Sequence, residues 1–197
     1  LKKKNFVKMF NGASIQKWYI TENISQGEIK YVNLTKIQKD FPNNKKFKAF
    51  NHRRIAFQGV TGINEKIRIK AAILNKGFFL EGSGRYLIIL IDKIDYESLI
   101  IIFNSSLINW FFKKFNTNSG VKTNEVDEFP IRINFSDSEN KKIQDRYKEL
   151  MKLKVGPNTN INIINKFEKK NDDLIFDFYG LTETERTIVY NSKNDRY

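Results

Sequence analysis

The sequence predicts an α+β fold in which a twisted, mainly antiparallel sheet is supported by helices and followed by a C-terminal helical part. Two observations carry this prediction. Apolar and polar residues alternate between residues 54 and 74, which is the period of strands with one buried face. After residue 95, apolar residues recur at helical spacing behind capping motifs. We therefore expect a sheet-rich part at residues 1–135 and a helical part at 136–197 packed on it.

The composition is that of a folded protein with a sizeable core. Apolar residues make up 40% of the 197 residues and aromatic residues 14%. The absence of cysteine excludes disulfides and thiolate metal sites and favours a cytoplasmic protein. No apolar run has the length of a signal peptide or a membrane span, so we expect no membrane partner. Because the chain begins at Leu1 and not at Met, we expect it to be part of a longer protein.

The strands are predicted from short apolar runs bounded by turn residues. Residues 5–41 contain several such runs, including residues 18–20 and 29–32. Between residues 54 and 74, two strands flank a loop that contains two glycines, Gly59 and Gly62. Residues 78–80 and 86–91 are predicted as further strands, joined by a glycine-rich turn at 81–84.

The helices are predicted from their ends. Asp95 can cap a helix at about residues 96–115, with a break at 104–106. The sequence of residues 136–139, Ser-Asp-Ser-Glu, is a capping box that opens a helix ending by Gly156. A helix over residues 161–179 is predicted to stop at Gly180, and a second capping box follows at residues 182–185.

The positive charge is concentrated in the first third of the chain. The net charge is +13, and residues 1–70 contain 16 Lys and Arg against 4 Asp and Glu. Residues 71–197 contain 19 against 18, and are close to neutral. A one-sided excess of this kind is typical of a surface that binds a polyanion. An ordinary solvated basic surface is the alternative.

The chain shows little sign of catalytic chemistry. Methylation of the adenine amino group needs a Pro-Pro loop, and Pro42, Pro130 and Pro157 are not adjacent. A glycine pair at 82 and 84 precedes a predicted strand and not a helix, so it does not fit a cofactor phosphate loop. His52, the single histidine, has no partner visible in the sequence.

Two acid-x-Lys triplets leave a nuclease open as an alternative. They are Glu28-Ile29-Lys30 and Glu168-Lys169-Lys170, and a metal-dependent nuclease would also need another acid nearby to hold magnesium. A third possibility is a basic scaffold that docks RNA or a protein.

Five segments, in order along the chain, resemble a known family. The first of them departs from the family at one position, Ser14, where the family usually has Asp. The segments are Gly12-Ala13-Ser14-Ile15-Gln16-Lys17-Trp18-Tyr19; the strand pair Arg54–Gln58 and Arg68–Ala72; Phe103–Phe111, with its Asn-Ser-Ser-Leu; the Pro-Ile exit strand within Asn124–Ile131; and Asp172–Thr182, ending Phe-Tyr-Gly-Leu-Thr. Together they resemble the TaqI-like C-terminal specificity domain of adenine-specific DNA methyltransferases and fused restriction-modification enzymes.

The resemblance implies a target-recognition domain that holds double-stranded DNA opposite a methyltransferase domain of the same parent chain. The parent would methylate adenine N6, with or without a fused type II restriction endonuclease. The resemblance implies no cofactor in this domain. S-adenosylmethionine, and magnesium if the parent cleaves DNA, would belong to other domains.

Residues that read bases are expected on exposed loops, because discrimination needs side chains with paired donors and acceptors. Three lysines, Lys45, Lys46 and Lys48, are expected to contact phosphates. The candidates for DNA contact around the first loop are Arg53, Arg54, Gln58, Thr61, Asn64 and Arg68. Arg85 is a separate candidate, for which a structural role is the alternative. Those of the second loop are Thr117, Asn118, Ser119, Lys122, Thr123 and Asn124.

Overall fold

The computed structural model describes residues 5–192, except for the side chain of Lys46. It has an α+β fold, as the sequence predicts. The last five residues of the predicted helical part lie outside the described residues. The strands are β1 (Phe6–Phe10), β2 (Lys30–Asn33), β3 (Arg54–Gln58), β4 (Ala71–Leu74), β5 (Phe79–Leu80) and β6 (Gly84–Leu87).

The helices follow the predicted caps closely in the second half of the chain. Their bounds are α1 (Leu34–Asp40), α2 (Lys45–Phe50), α3 (Tyr96–Phe103), α4 (Ser106–Phe115), α5 (Thr123–Asp127), α6 (Asp137–Lys152), α7 (Ile161–Tyr179) and α8 (Glu183–Asn191). The predicted break at 104–106 divides α3 from α4. Both capping boxes are formed, and Gly180 ends α7 in a left-handed conformation with φ of 66°.

Several short elements differ from the prediction: the strand expected at residues 86–91 ends at Leu87, and the helices α1 and α2 were not predicted. Residues 124–131 were expected to contain an exit strand, but residues 123–127 form α5, because Glu125 accepts a hydrogen bond from the Lys122 main chain and closes a helical turn. Residues 18–20 form no strand apart from a single bridge between Ile15 and Ile20.

The strands form two small sheets and not the single sheet that was expected. In the first, β1 pairs with β2 antiparallel and with β5 parallel. In the second, β3 lies between β4 and β6, both antiparallel to it. The strands β5 and β6 are neighbours in sequence, yet the turn between them carries the chain from one sheet to the other.

The two sheets meet at Ser83, in the turn between β5 and β6. The Ser83 carbonyl accepts a hydrogen bond from Gly59 N–H at 2.9 Å, and its hydroxyl oxygen accepts one from Gly12 N–H, also at 2.9 Å. A Cβ atom at Gly12 would lie 2.6 Å from the Ser83 carbonyl oxygen, and one at Gly59 would lie 2.8 Å from it. The junction therefore requires glycine on both sides.

One large hydrophobic cluster crosses the predicted boundary at residues 135 and 136. It joins Ile55 and Phe57 of β3 with buried residues of α3 and α4, and with Ile143 of α6 and Ile175 of α7. A smaller cluster around Ile15 fills the space between the two sheets. The C-terminal helices thus pack against α3 and α4 and complete the same core.

Polar side chains fasten the α3–α4 break to the sheet. The Asn104 amide donates to the Ala71 carbonyl at 2.9 Å and accepts from its N–H at 3.1 Å. Asn109 Oδ1 accepts from the main-chain N–H groups of Arg68 and Ile69. The Asn-Ser-Ser segment is therefore a structural joint whose buried polar groups have partners. Among residues 5–192, no helix is both long and apolar enough to cross a membrane.

Candidate nucleic-acid interface

The two loops that the sequence singles out lie against each other. The first loop, residues 59–70, leaves the end of β3, and the second loop, residues 116–124, follows α4. Val60 and Gly120 form an antiparallel bridge. It is flanked by hydrogen bonds from Thr61 N–H to the Ser119 carbonyl at 2.9 Å and from Val121 N–H to the Gly59 carbonyl at 3.0 Å. We call these two segments together the joined loops.

Arg68 holds the joined loops from the inside. Its side chain is fully buried and stacks on the Phe112 ring at 5.1 Å. The guanidinium donates to Thr61 Oγ1 at 3.0 Å and to the Asn118 carbonyl. Arg68 and Thr61 were candidates for DNA contact, but both side chains face the interior and bind each other. In this conformation they support the loops and do not reach a groove.

Arg54 is also an interior residue. Only 1% of its surface is exposed, and its guanidinium donates to the Phe78 carbonyl at 2.6 Å and stacks on the Tyr86 ring. Burial lowers the pKa of Arg54 below its ordinary value, because removing the guanidinium from water disfavours the charged form. Its role is to connect β3 with the strand beside it and the start of β5, and it is not exposed to DNA.

Two further arginines are engaged with nearby groups. Arg53 forms an ion pair with Glu97 at 2.5 Å and lies over the Tyr96 ring, so it links the start of β3 to α3. Arg85 donates to the Gly82 carbonyl within its own turn, and its side chain is partly exposed.

The remaining loop candidates are on the surface. All of them are exposed. Six have short side chains with a hydroxyl or amide group, and the seventh is a lysine. They are Asn64, Thr117, Asn118, Ser119, Lys122, Thr123 and Asn124. Their main chains are held by the bridge and by Asn116, whose side chain accepts from Asn118 N–H at 2.8 Å and donates to the Gly120 carbonyl at 3.3 Å. The joined loops therefore present polar side chains from a fixed main chain.

Of the twelve cationic residues of the first third whose side chains the structure describes, seven pair with carboxylates or are buried. Five of them pair with carboxylates, and Arg54 and Arg68 are buried. The pairs are Lys8–Glu22, Lys17–Glu168, Lys30–Glu81, Arg53–Glu97 and Lys70–Glu65. Within residues 5–192, the exposed lysines of this third that have no carboxylate partner are Lys36, Lys39, Lys45, Lys48 and Lys66.

Four of these five lysines lie on the α1–α2 segment, residues 34–50. Lys45 and Lys48 are exposed on α2, whereas the side chain of Lys46 lies outside the described residues. The segment follows β2 and ends at Phe50, shortly before β3 begins at Arg54. It is held there because Phe50 stacks on Phe79 of β5 and the Phe50 carbonyl accepts from Gly77 N–H, just after β4. The joined loops leave the opposite end of β3. The lysines and the loops thus occupy opposite ends of the β3–β4 hairpin.

A polar cleft of about 560 Å³ opens beside the joined loops. Its lining includes Gln58 at the end of β3, Gln16 after the short 3₁₀ helix at residues 12–14, and Thr61 and Gly62 of the first loop. Gln58 was predicted from the sequence, but Gln16 was not singled out. Its only sequence signal is that it belongs to the segment resembling the family's opening motif.

Two residues of the nuclease alternative form ion pairs with other side chains, and its acids belong to no cluster of three within residues 5–192. Lys30 pairs with Glu81 at 2.7 Å, and Glu28 is exposed. Glu168 accepts from Trp18 Nε1 and pairs with Lys17, each at 2.8 Å, so it anchors the N-terminal part to α7. Across residues 5–192, no cluster of three or more His, Asp or Glu side chains is placed to hold a metal ion. His52 is exposed.

Comparison with known proteins agrees with the resemblance in sequence. The sequence profile of the TaqI-like C-terminal specificity domain matches residues 7–131, which is more than half of the chain. No curated protein sequence matches it. Among solved structures, the Type IIL restriction-modification enzyme MmeI in complex with DNA is similar to this chain, with a TM-score of 0.65 and 12% sequence identity.

The similarity to MmeI covers 98% of this chain and 31% of the MmeI chain, so the chain spans about a third of the length of that enzyme. The structural likeness extends beyond residue 131 into the C-terminal helices, which the family profile does not cover. The chain belongs to the family of TaqI-like C-terminal specificity domains.

Proposed function

We propose that this chain recognises the DNA target sequence of a restriction-modification enzyme, with the joined loops directed at base edges and the α1–α2 lysines at phosphates. The observation that carries the proposal is the bridge between residues 60 and 120. It unites two segments far apart in sequence into one surface of exposed amide and hydroxyl groups. The family membership and the likeness to MmeI, which was solved with DNA, support it.

The chemistry of the joined loops suits the reading of bases. Amide side chains such as those of Asn64, Asn118 and Asn124 can donate and accept at the same time, which is what adenine offers in the major groove. Hydroxyl groups such as that of Thr117 can pair with any base, and Lys122 can donate to guanine. The buried Arg68 holds both loops in place before DNA binds. The loops therefore lose less conformational freedom on binding DNA than unsupported loops would.

The α1–α2 lysines suit contacts that carry no sequence information. Ammonium groups on flexible stems bind phosphates as point charges, and each phosphate that they neutralise releases counterions. Binding by the chain alone should therefore be weak, steeply dependent on salt and poorly specific. We propose that the parent's other domain supplies the opposite half of the grip on DNA.

We propose further that the parent methylates adenine N6 in a separate domain, which binds S-adenosylmethionine, and that magnesium is needed only where a nuclease domain accompanies it. In this proposal the chain itself neither methylates nor cleaves DNA. Incubation of the purified chain with duplex DNA and either S-adenosylmethionine or magnesium should leave the DNA unchanged. Cleavage that requires magnesium and disappears in Glu28→Ala would favour a nuclease instead.

The test of recognition is binding of the chain to matched nucleic acids at low salt. Duplex DNA, duplex RNA of the same sequence and single-stranded DNA should be compared by fluorescence anisotropy. The proposal expects the tightest binding to duplex DNA, with affinity falling as salt rises. Preference for RNA, or binding that does not change with salt, would overturn it and favour a scaffold that docks RNA or a protein.

A further inference from the structure

The polar cleft beside the joined loops contains two glutamines whose amide groups are fixed by the main chain. Gln58 Nε2 donates to the Ile15 carbonyl at 2.6 Å, and Gln16 Nε2 donates to the Ala13 carbonyl at 2.9 Å. A carbonyl oxygen can only accept, so each NH₂ group must face its carbonyl. This fixes the orientation of both amides.

The fixed orientation leaves the two Oε1 atoms as acceptors. Among residues 5–192, neither Oε1 has a hydrogen-bond partner, although both side chains line the cleft. Two other amide side chains line the cleft: Asn11, whose Oδ1 accepts from Ser14 and whose Nδ2 donates to the Gln26 carbonyl at 3.5 Å, and Gln26, which is exposed. The cleft therefore offers two acceptors that are held in place and not otherwise used.

Charged groups in the cleft do not change this character. Lys70 Nζ lies 3.4 Å from a carboxylate oxygen of Glu65, so the ammonium already has an acceptor. The Glu65 side chain is half exposed and adds a further acceptor at the rim. A group that binds to the two Oε1 atoms must therefore bring its own donors.

We propose, on the basis of the proposed function, that the acceptors of Gln58 and Gln16 read the exocyclic amino group of one base, N6 of adenine or N4 of cytosine, with one Oε1 accepting the single N–H that the base pair leaves free in the major groove. These amino groups are the donors that the major groove presents, whereas guanine and thymine present acceptors there. Each base pair has one such amino group, so the cleft would determine which strand carries the adenine or cytosine at one position of the site.

The experiment is a double-mutant cycle between protein and DNA. The preferred site is first selected from a randomised duplex library with the full-length protein. Each adenine of that site is then replaced by purine, and each cytosine by 2-pyrimidinone, which removes only the amino group. At one position the analogue should weaken binding of the wild-type protein by roughly tenfold or more.

The matched variants are Gln58→Met and Gln16→Met, which keep the length of the side chain and remove its amide. In at least one of them the analogue at that position should no longer weaken binding. Gln38→Met, on the exposed surface of α1, should behave as wild type. Gln58→Met loses the hydrogen bond to the Ile15 carbonyl and could fail to fold for that reason. In that case the same measurements are made with Gln16→Met, which loses only a hydrogen bond to the nearby Ala13 carbonyl.

The outcomes separate this inference from the proposed function. An analogue penalty that is unchanged in both variants, with the site preference intact, overturns the roles of Gln58 and Gln16 alone. Absence of any site preference in the wild-type protein overturns the proposed function as well.

Discussion

The guanidinium of Arg68 donates a hydrogen bond to the carbonyl of Asn118, 50 residues further along the chain. The same group holds Thr61, so one buried side chain supports both joined loops. A buried arginine of this kind contributes through its geometry, because its planar fork can serve two acceptors at once. Arg68 therefore belongs not to the candidates for DNA contact but to the structure beneath the joined loops.

Replacement of Arg68 should therefore lower stability and specificity together. Arg68→Ala would leave the Thr61 hydroxyl and the Asn118 carbonyl without their partner and empty the space over Phe112. A loss of about 2–4 kcal/mol in the free energy of unfolding is expected. Arg68→Lys should recover only part of it, because an ammonium lacks the fork. Urea denaturation measures both, and a variant as stable as wild type would refute this role.

The sequence predicted best what depends on local contacts. The ends of α6, α7 and α8 follow from two capping boxes and from Gly180, whose signals lie within four residues of the helix ends. The helices α1 and α2 were missed, because they have only seven and six residues. Helices this short are stabilised by tertiary contacts and leave no periodic pattern.

The candidate site was predicted in part, and the errors have one cause. Exposed loop residues such as Asn64 were identified by type, since polar side chains between strands are usually at the surface. Arg54 and Arg68 were assigned by the same rule and are buried. Their acceptors, the carbonyls of Phe78 and Asn118, are 24 and 50 residues away, so the sequence alone does not reveal them.

The contact at Ser83 predicts a sharp difference between two glycines. In Gly59→Ala the new Cβ would meet the Ser83 carbonyl oxygen at 2.8 Å, so the two sheets must separate slightly. A loss of about 1–3 kcal/mol in unfolding free energy is expected. Gly82 lies beside Ser83 in the turn between β5 and β6, and a Cβ atom at Gly82 would meet no other atom within 4 Å. The stability of Gly82→Ala should therefore stay within about 0.5 kcal/mol of wild type. Equal stabilities for the two variants in urea denaturation would contradict the close approach.

The capping boxes predict a dependence of stability on pH. Hydrogen bonds from the Ser136 main chain and side chain, and then the hydrogen bonds and charge of Arg132, lower the pKa of Glu139. Hydrogen bonds from Thr182 lower the pKa of Glu185, and the ordinary pKa of both carboxyl groups is 4.5. A lowered pKa in the folded state stabilises it above about pH 4.5, and this contribution is lost as the pH falls through the folded-state pKa. The double variant Glu139→Gln/Glu185→Gln should thus lose less stability on acidification.

Thermal unfolding from pH 7 down to about pH 3 measures this effect, because the range starts where the contribution is complete and extends below the ordinary carboxyl pKa of 4.5, where it is lost. Gln can still close a capping box, so the variants should fold. Glu128→Gln is the control, because Glu128 is exposed and makes no side-chain hydrogen bond within the described residues. An acid profile of the double variant that coincides with that of the wild type would rule out the capping contribution.

Removal of the α1–α2 lysines should weaken DNA binding equally on all sequences. The variant carries Gln at Lys36, Lys39, Lys45 and Lys48. The slope of log affinity against log salt should become shallower by about 0.9 for each lysine that neutralises a phosphate. The control removes four lysines of α6, Lys141, Lys142, Lys148 and Lys152, and should retain the slope. A slope that changes equally in both variants would mean that only net charge matters.

The central claim is that the exposed side chains of the joined loops select the DNA sequence. Its most direct test is the site preference of the full-length protein, measured by selection from a randomised duplex library, for wild type and for Asn64→Ala, Asn118→Ala and Asn124→Ala. These side chains are exposed, so the variants should fold with stabilities within about 0.5 kcal/mol of wild type. At least one should relax preference at a particular base pair by roughly tenfold or more, with the other positions unchanged. Preference identical to wild type in all three variants would contradict the claim.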